Sequence, residues 1–180
     1  MKYVKGDLFD VLDQTTKSVV IPHITNDIGA WGSGFVVALS NRWPYKDEKG
    51  NINQCSPEAQ YRLNDPVLGE AHLAMPECRQ HDEDTRSVIY VANMCAQTGI
   101  MGMSTGPRSK VNKKPIRYEA LSACMTQVSV WVQSMKNIGM DTMILAPKFG
   151  SLRAGGDWKV IEKMIQDIWD NHEVVIVEYE

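Results

Sequence analysis

The stretch Asn26-Asp27-Ile28-Gly29-Ala30-Trp31-Gly32-Ser33-Gly34-Phe35 limits what this chain can become, because its neighbours on either side have opposite characters. Ahead of it, Ser18-Val19-Val20-Ile21-Pro22 is an apolar run that reads as a buried strand. Behind it, the run from Phe35 to Trp43 reads as a helix. That helix should stop at Trp43-Pro44, since a residue before proline is pushed out of the helical region. Strand, glycine turn and helix together aim backbone N–H groups and the positive end of a helix dipole at an anion. Glycines at 29, 32 and 34 allow close approach of the backbone to a ligand. A flexible surface loop is the plainer alternative; the flanking strand and helix favour a phosphate cradle.

The pattern occurs a second time. Thr142-Met143-Ile144-Leu145-Ala146-Pro147 reads as a buried strand and runs into Phe149-Gly150-Ser151-Leu152-Arg153-Ala154-Gly155-Gly156-Asp157-Trp158. A helix follows, with Val160, Ile161, Met164, Ile165, Ile168 and Trp169 on one face. In open α/β sheets ligands bind beyond the carboxyl ends of the strands. If the two strands are neighbours, both turns rim one cleft, and two facing cradles suit a diphosphate better than a single phosphate.

Between these units the chain predicts further strands at 2–5, 68–75, 87–95 and 173–179. Residues 8–12 predict a turn or short helix, and Ser56-Pro57-Glu58 begins another, proline being suited to a first helical turn. The segment 116–135 predicts a long amphipathic helix, with Leu121, Cys124, Met125, Val128, Val132 and Met135 at spacings of three and four. Residues 77–86 read as a charged tip, and His81-Asp82-Glu83-Asp84 within it as a solvated hairpin loop rather than a metal site. The glycine- and proline-bearing segment 97–114 has little periodicity, and a loop of that length suggests a lid. Strands alternating with helices imply an α/β domain with a sheet covered on both faces. Residues 1–180 are read as a single domain.

A net charge of −3 gives no general attraction to nucleic acid. Cys55, Cys78, Cys95 and Cys124 are widely spaced, which favours free thiols in a reducing compartment over a disulfide frame or zinc site. No apolar run approaches a membrane span. The N-terminal residues enter structure directly without a signal peptide's apolar core, so a cytoplasmic location is expected. Gly32-Ser33-Gly34 begins a dinucleotide fingerprint, but Val37 stands where its third glycine belongs, and no Gly-Lys-Ser/Thr ending marks a P-loop.

Several segments in order carry a more specific likeness. They are Gly6-Asp7-Leu8-Phe9, Ile21-Pro22-His23-Ile24-Thr25-Asn26 with the Gly-Ala-Trp-Gly-Ser-Gly-Phe loop, Val91-Ala92-Asn93-Met94-Cys95-Ala96-Gln97, Ile116-Arg117-Tyr118-Glu119-Ala120-Leu121, and Pro147 through Asp157-Trp158. Together they resemble the macrodomain, the ADP-ribose-binding fold, and most of all its branch of ADP-ribose-1''-phosphate phosphatases and small ADP-ribosyl hydrolases. The resemblance implies a three-layer α/β/α sandwich around a mixed central sheet. It implies a hydrolase acting on an ADP-ribose derivative, ADP-ribose 1''-phosphate foremost, with no cofactor or metal. The ligand would be ADP-ribose or an ADP-ribosylated small molecule, and the protein a monomer. A non-catalytic ADP-ribose reader and a hydrolase acting on modified protein or nucleic acid are the alternatives.

The resemblance also distributes roles. Asp7 would accept from the adenine amino group beside the backbone of Leu8, or serve as a turn aspartate. His23 would activate water or protonate a leaving group, or be a structural histidine. Asn26 would hold distal ribose hydroxyls or an attacking water, or shape the turn. Trp31 is a wall over the distal ribose or a packing residue. Gly29, Gly32, Ser33, Gly34 and Phe35 would form the first diphosphate loop. Phe149, Gly150, Ser151, Leu152, Arg153 and Ala154 would form the second, with Arg153 paired to phosphate or turned to solvent. Asp157 is an acid/base candidate or the N-cap of the following helix. Some glycohydrolases of the branch use a lysine nucleophile and a second-loop aspartate; this chain has Met94 and Ala154 there, so a covalent lysine route is not implied.

Overall fold

The computed structural model describes residues 1–102, 104–105, 110–111 and 114–179. Its elements follow the order β1 (Lys2–Lys5), α1 (Leu8–Gln14), β2 (Ser18–Asn26), α2 (Phe35–Arg42), α3 (Pro57–Leu63), β3 (Ala71–Gln80), β4 (Arg86–Gln97), β5 (Ser104–Thr105), β6 (Lys110–Val111), α4 (Tyr118–Asn137), β7 (Thr142–Pro147), α5 (Trp158–Ile168) and β8 (Val174–Glu178). Six strands form one sheet in the order β1-β8-β7-β2-β4-β3, and β5 pairs with β6 separately. Every neighbouring pair in the large sheet is parallel except β3 with β4. The sheet is therefore mixed, and β2 and β7 lie side by side.

Alternation along the strands builds two cores. Val20, Ala92, Met94, Ile144 and Ile176 face α4 and α5, which contribute Leu121, Met125, Val128, Ile161 and Ile165. Val19, Ile21, Ile89, Val91 and Leu145 face the other way, onto Leu8 and Leu12 of α1 and Leu39 of α2, with Trp43 beyond its end. Successive strand side chains point to opposite faces, so His23 and Asn93 fall on the same face as Ile21 and Val91.

Two differences from the sequence reading matter. The tip of the β3–β4 hairpin is shorter than 77–86, because β3 continues through Gln80. Pro76 is tolerated on this edge strand at a register shift between Ala74 and Glu77, where no ladder bond is demanded of it. In the tip, Asp82 accepts the N–H groups of Asp84 and Thr85 at 2.8 and 2.7 Å. Among the described residues no cluster of three His, Cys, Asp or Glu side chains is placed to hold a metal.

The second difference is in β2, which runs through Asn26 instead of ending near Pro22. Ser18, Val19 and Val20 pair with Thr142, Met143 and Ile144, and the β7 ladder then stops. Pro22 beyond it has no N–H to offer. The far half of β2 follows β4 instead, as far as Asn26 beside Gln97. The two glycine-bearing strands thus part toward their carboxyl ends, and the gap becomes the site. The expectation of a lid over 97–114 lies largely outside the described residues. No described helix is long and apolar enough to cross a membrane.

Candidate functional site

A cavity of about 760 Å³ opens at the carboxyl ends of β2 and β7. His23, Asn26, Trp31, Gly32, Ser33, Gly34 and Phe35 line one side of it. Phe149, Gly150, Leu152, Arg153 and Ala154 line the other. A smaller hollow of about 110 Å³ adjoins it, lined by Asp7, Leu8 and Phe9, and shares Phe35 and Pro147 with the large one. Gly29, Ser151 and Asp157 are not among the lining residues.

The first turn is shaped by the side chain of Asn26. Its Oδ1 accepts the N–H groups of Ile28 and Ala30 at 3.1 and 3.0 Å, and its Nδ2 donates to the Ala30 carbonyl at 2.7 Å. The Tyr61 hydroxyl, from α3, donates toward both Oδ1 and the backbone carbonyl of Asn26, each at 2.8 Å. Burial holds the Tyr61 phenol up at about 12, so it remains a donor. The turn-shaping role is therefore filled, and one of the two amide hydrogens of Asn26 has no partner in this network. Asp27 accepts the N–H of Gly99 at 2.8 Å and ties the turn to the end of β4.

Trp31 both packs and lines. Its ring lies 5.2 Å from that of Tyr61 and edge-on to His23 at 5.6 Å, and its indole N–H donates to Ser40 Oγ at 2.9 Å. His23 is buried, with Nε2 2.6 Å from the Asn93 side-chain oxygen. Burial pushes its pKa down to about 4, opposed in part by the Asn93 bond, so the ring is neutral at physiological pH.

The second turn is held through its backbone. Gly156 N donates to Gly150 O at 2.8 Å, and Ile116 N donates to Ala154 O at 2.9 Å. The Tyr118 hydroxyl accepts Asp157 N at 2.8 Å. These contacts explain why the segment opening α4 accompanies the loop. A Cβ on Gly156 would lie 2.5 Å from Gly150 O, so no larger residue fits. Ser151 is turned inward along its own loop, with Oγ donating to Lys148 O at 3.2 Å.

Arg153 reaches across the mouth. A Cβ on Gly34 would meet its Cδ at 2.9 Å, so the two turns touch through this side chain. Asp157 instead caps α5, its carboxylate accepting Lys159 N at 2.9 Å. Asp7 likewise caps α1, accepting Phe9 N at 2.8 Å, while still bordering the smaller hollow. Met94 is fully buried in the core, and Ala154 is a buried residue at the cavity wall.

Two participants escaped sequence reasoning. Tyr61 lies in the polar stretch after Trp43, where an aromatic one helical turn beyond Pro57 was the available signal, and the structure buries it with Pro57 and Ala59. Asn93 stood in a recognised segment, but nothing in its spacing pointed to His23.

No family model matches the sequence. The chain is 39% identical over 168 residues to an ADP-ribose 1''-phosphate phosphatase from Lodderomyces elongisporus, a match covering 93% of this chain and 92% of that one. A solved structure of a Bacteroides thetaiotaomicron protein of unknown function superposes with a TM-score of 0.70 at 29% identity, over 98% of this chain and 96% of that one. A macrodomain protein from Streptomyces coelicolor superposes with a TM-score of 0.66 at 28% identity, over 99% of each chain. Paired glycine turns on adjoining strands, and relatedness at this level along nearly the whole length, lead to one assignment: the chain belongs to the macrodomain family.

Proposed function

We propose that residues 1–180 act as a single macrodomain that binds ADP-ribose and hydrolyses ADP-ribose 1''-phosphate to ADP-ribose and phosphate. The observation that carries this reading is the placement of a buried, neutral histidine in the same cavity as both glycine turns. The pyrophosphate lies between the turns, held by main-chain N–H groups and by Arg153. The adenine occupies the smaller hollow beside Asp7 and Leu8, and the distal ribose faces Asn26 and Trp31. Water attacks the terminal phosphorus, the bond from phosphorus to the anomeric oxygen breaks, and His23 takes the proton the water gives up. The departing sugar oxygen is protonated from solvent. Positioning and preformed donors are the main assistance such a hydrolysis needs. Asp157, committed to the α5 cap outside the cavity, has no part in it.

The likeness to the Lodderomyces phosphatase supports this substrate over other ADP-ribose esters. We place the protein in the cytoplasm as a monomer. Phosphate release from ADP-ribose 1''-phosphate, followed with wild type and His23→Gln, tests the assignment. Turnover should fall at least about 100-fold in the variant, and absence of release by wild type at high enzyme concentration would reject it. The heavy use of Asn26 in shaping its own turn favours one second reading, a reader that binds ADP-ribose without turning it over. Calorimetric binding of ADP-ribose with no phosphate release identifies that case.

A further inference from the structure

We propose that Asn93 is a positioning residue that fixes His23 in its Nε2–H tautomer and leaves Nδ1 as the hydrogen-bond acceptor facing the cavity. This deepens the proposed function and rests on His23 being the proton acceptor, but its structural half stands independently of the substrate.

The chain of donors begins at a group that cannot donate. The Pro57 carbonyl, at the start of α3, lies 3.0 Å from Asn93 Nδ2. A carbonyl only accepts, so the amide NH₂ of Asn93 must face it, and the side-chain oxygen faces the other way. That oxygen lies 2.6 Å from His23 Nε2. An oxygen without hydrogen requires a donor opposite it, so Nε2 carries the proton of the neutral ring. The remaining lone pair is then on Nδ1.

Strand register brings the pair together, since His23 and Asn93 are Cα partners in the parallel β2–β4 ladder and share a face. Both side chains are buried, at 2% exposure each, so water does not compete for the bond. Nδ1 makes no hydrogen bond to a described residue, yet no buried side-chain nitrogen or oxygen among the described residues lacks a partner. Nδ1 is therefore the part of the ring with access to the cavity that His23 lines. Trp31 and Phe35 pack on the ring from the glycine turn and α2, and no charged side chain contributes to its electrostatics. The tautomer is left to a single neutral amide.

Nitrogen-15 spectra of histidine-labelled protein test this directly, with the His23 signals identified by their loss in His23→Gln. Wild type at neutral pH should show a protonated Nε2 and an unprotonated Nδ1. Asn93→Leu, close in shape but unable to accept, should let the Nδ1–H form appear. It should also lower kcat for ADP-ribose 1''-phosphate about 10- to 100-fold with little change in KM. Asn93→Asp should move the acid limb of the pH–rate profile up by about one unit, because a carboxylate favours the imidazolium; a purely structural residue leaves that limb in place. An Nδ1–H tautomer in wild type, or an unchanged tautomer in folded Asn93→Leu, overturns the inference. If Asn93→Leu does not fold, the wild-type spectrum and Asn93→Asp decide. A wild-type protein with the expected tautomer but no phosphate release sinks the proposed reaction and leaves the Asn93 assignment standing.

Discussion

The turn after β2 and the turn after β7 face one cavity from neighbouring strands, yet they are built differently. The first owes its shape to side chains: Asn26 folds it from within, Tyr61 anchors Asn26 from α3, and Trp31 is wedged between Tyr61 and His23. The second owes its shape to main-chain bonds, within itself and to the segment opening α4. Its polar side chains do little to hold it: Arg153 reaches across to Gly34, Ser151 makes a single bond to Lys148 O, and Asp157 caps a helix. A turn organised by side chains can carry chemistry, because its polar groups are held in fixed positions. A turn organised by its backbone offers N–H groups whatever its sequence, provided that glycine remains where chain meets chain.

The difference can be broken by substitution, most severely in the first turn. Asn26→Ala removes two acceptor bonds and one donor bond within the turn and leaves the Tyr61 hydroxyl with only the backbone carbonyl of residue 26 as acceptor. It should cost about 3 kcal/mol in urea unfolding and weaken ADP-ribose binding by about 100-fold in calorimetry. Binding within a few-fold of wild type would mean that the first turn holds its shape without this amide.

Acid should reach the first turn by a separate route. His23 is held at about 4 in the folded protein against an ordinary 6.5, so folding favours its neutral form. The stability this contributes is fully present above pH 6.5 and drains as pH falls toward 4, a loss of about 3 kcal/mol. His172, buried and set between Lys136 and Ser129, is depressed as well and acts in the same sense. Unfolding measured at pH 7 and pH 4 in wild type and His23→Gln isolates the His23 share. Equal pH dependence in the two proteins would contradict it.

The second turn should yield to steric insult rather than to loss of a side chain. Gly156→Ala drives a methyl group into Gly150 O and should cost about 2 kcal/mol, with ADP-ribose affinity falling about tenfold. Smallest of all, Asp157→Ala should cost about 1 kcal/mol through the lost α5 cap and change turnover less than about twofold. A collapse of phosphate release with stability intact would return Asp157 to the chemistry.

Much of the fold was legible from the chain. The spacing of Leu121, Cys124, Met125, Val128, Val132 and Met135 set the buried stripe of α4, and all six are buried. Pro57 behind Ser56 marked the start of α3, where Ser56 caps the helix. The strand-turn-helix units at 19–42 and 142–169 were visible because glycine, proline and apolar runs are local signals, and the structure places them at 18–42 and 142–168. The end of β2 was not, because Pro22 looks like a stop. Only the early end of the β7 ladder shows why a proline is harmless there.

The sequence by itself determined the helices and the six strands of the main sheet, though not the β5–β6 pair inside 97–114. It also determined that two glycine turns follow two buried strands and, through matching motifs, the family. Those features depend on backbone preference and on apolar periodicity, which act over a few residues. Only the tertiary structure decided that β2 and β7 are neighbours, that Tyr61 reaches back 35 positions to Asn26, and that Asn93 stands beside His23. The last two are hydrogen bonds between buried groups distant in the chain. Their strength comes from the absence of competing water, and that absence exists only once the strands and helices have closed around them.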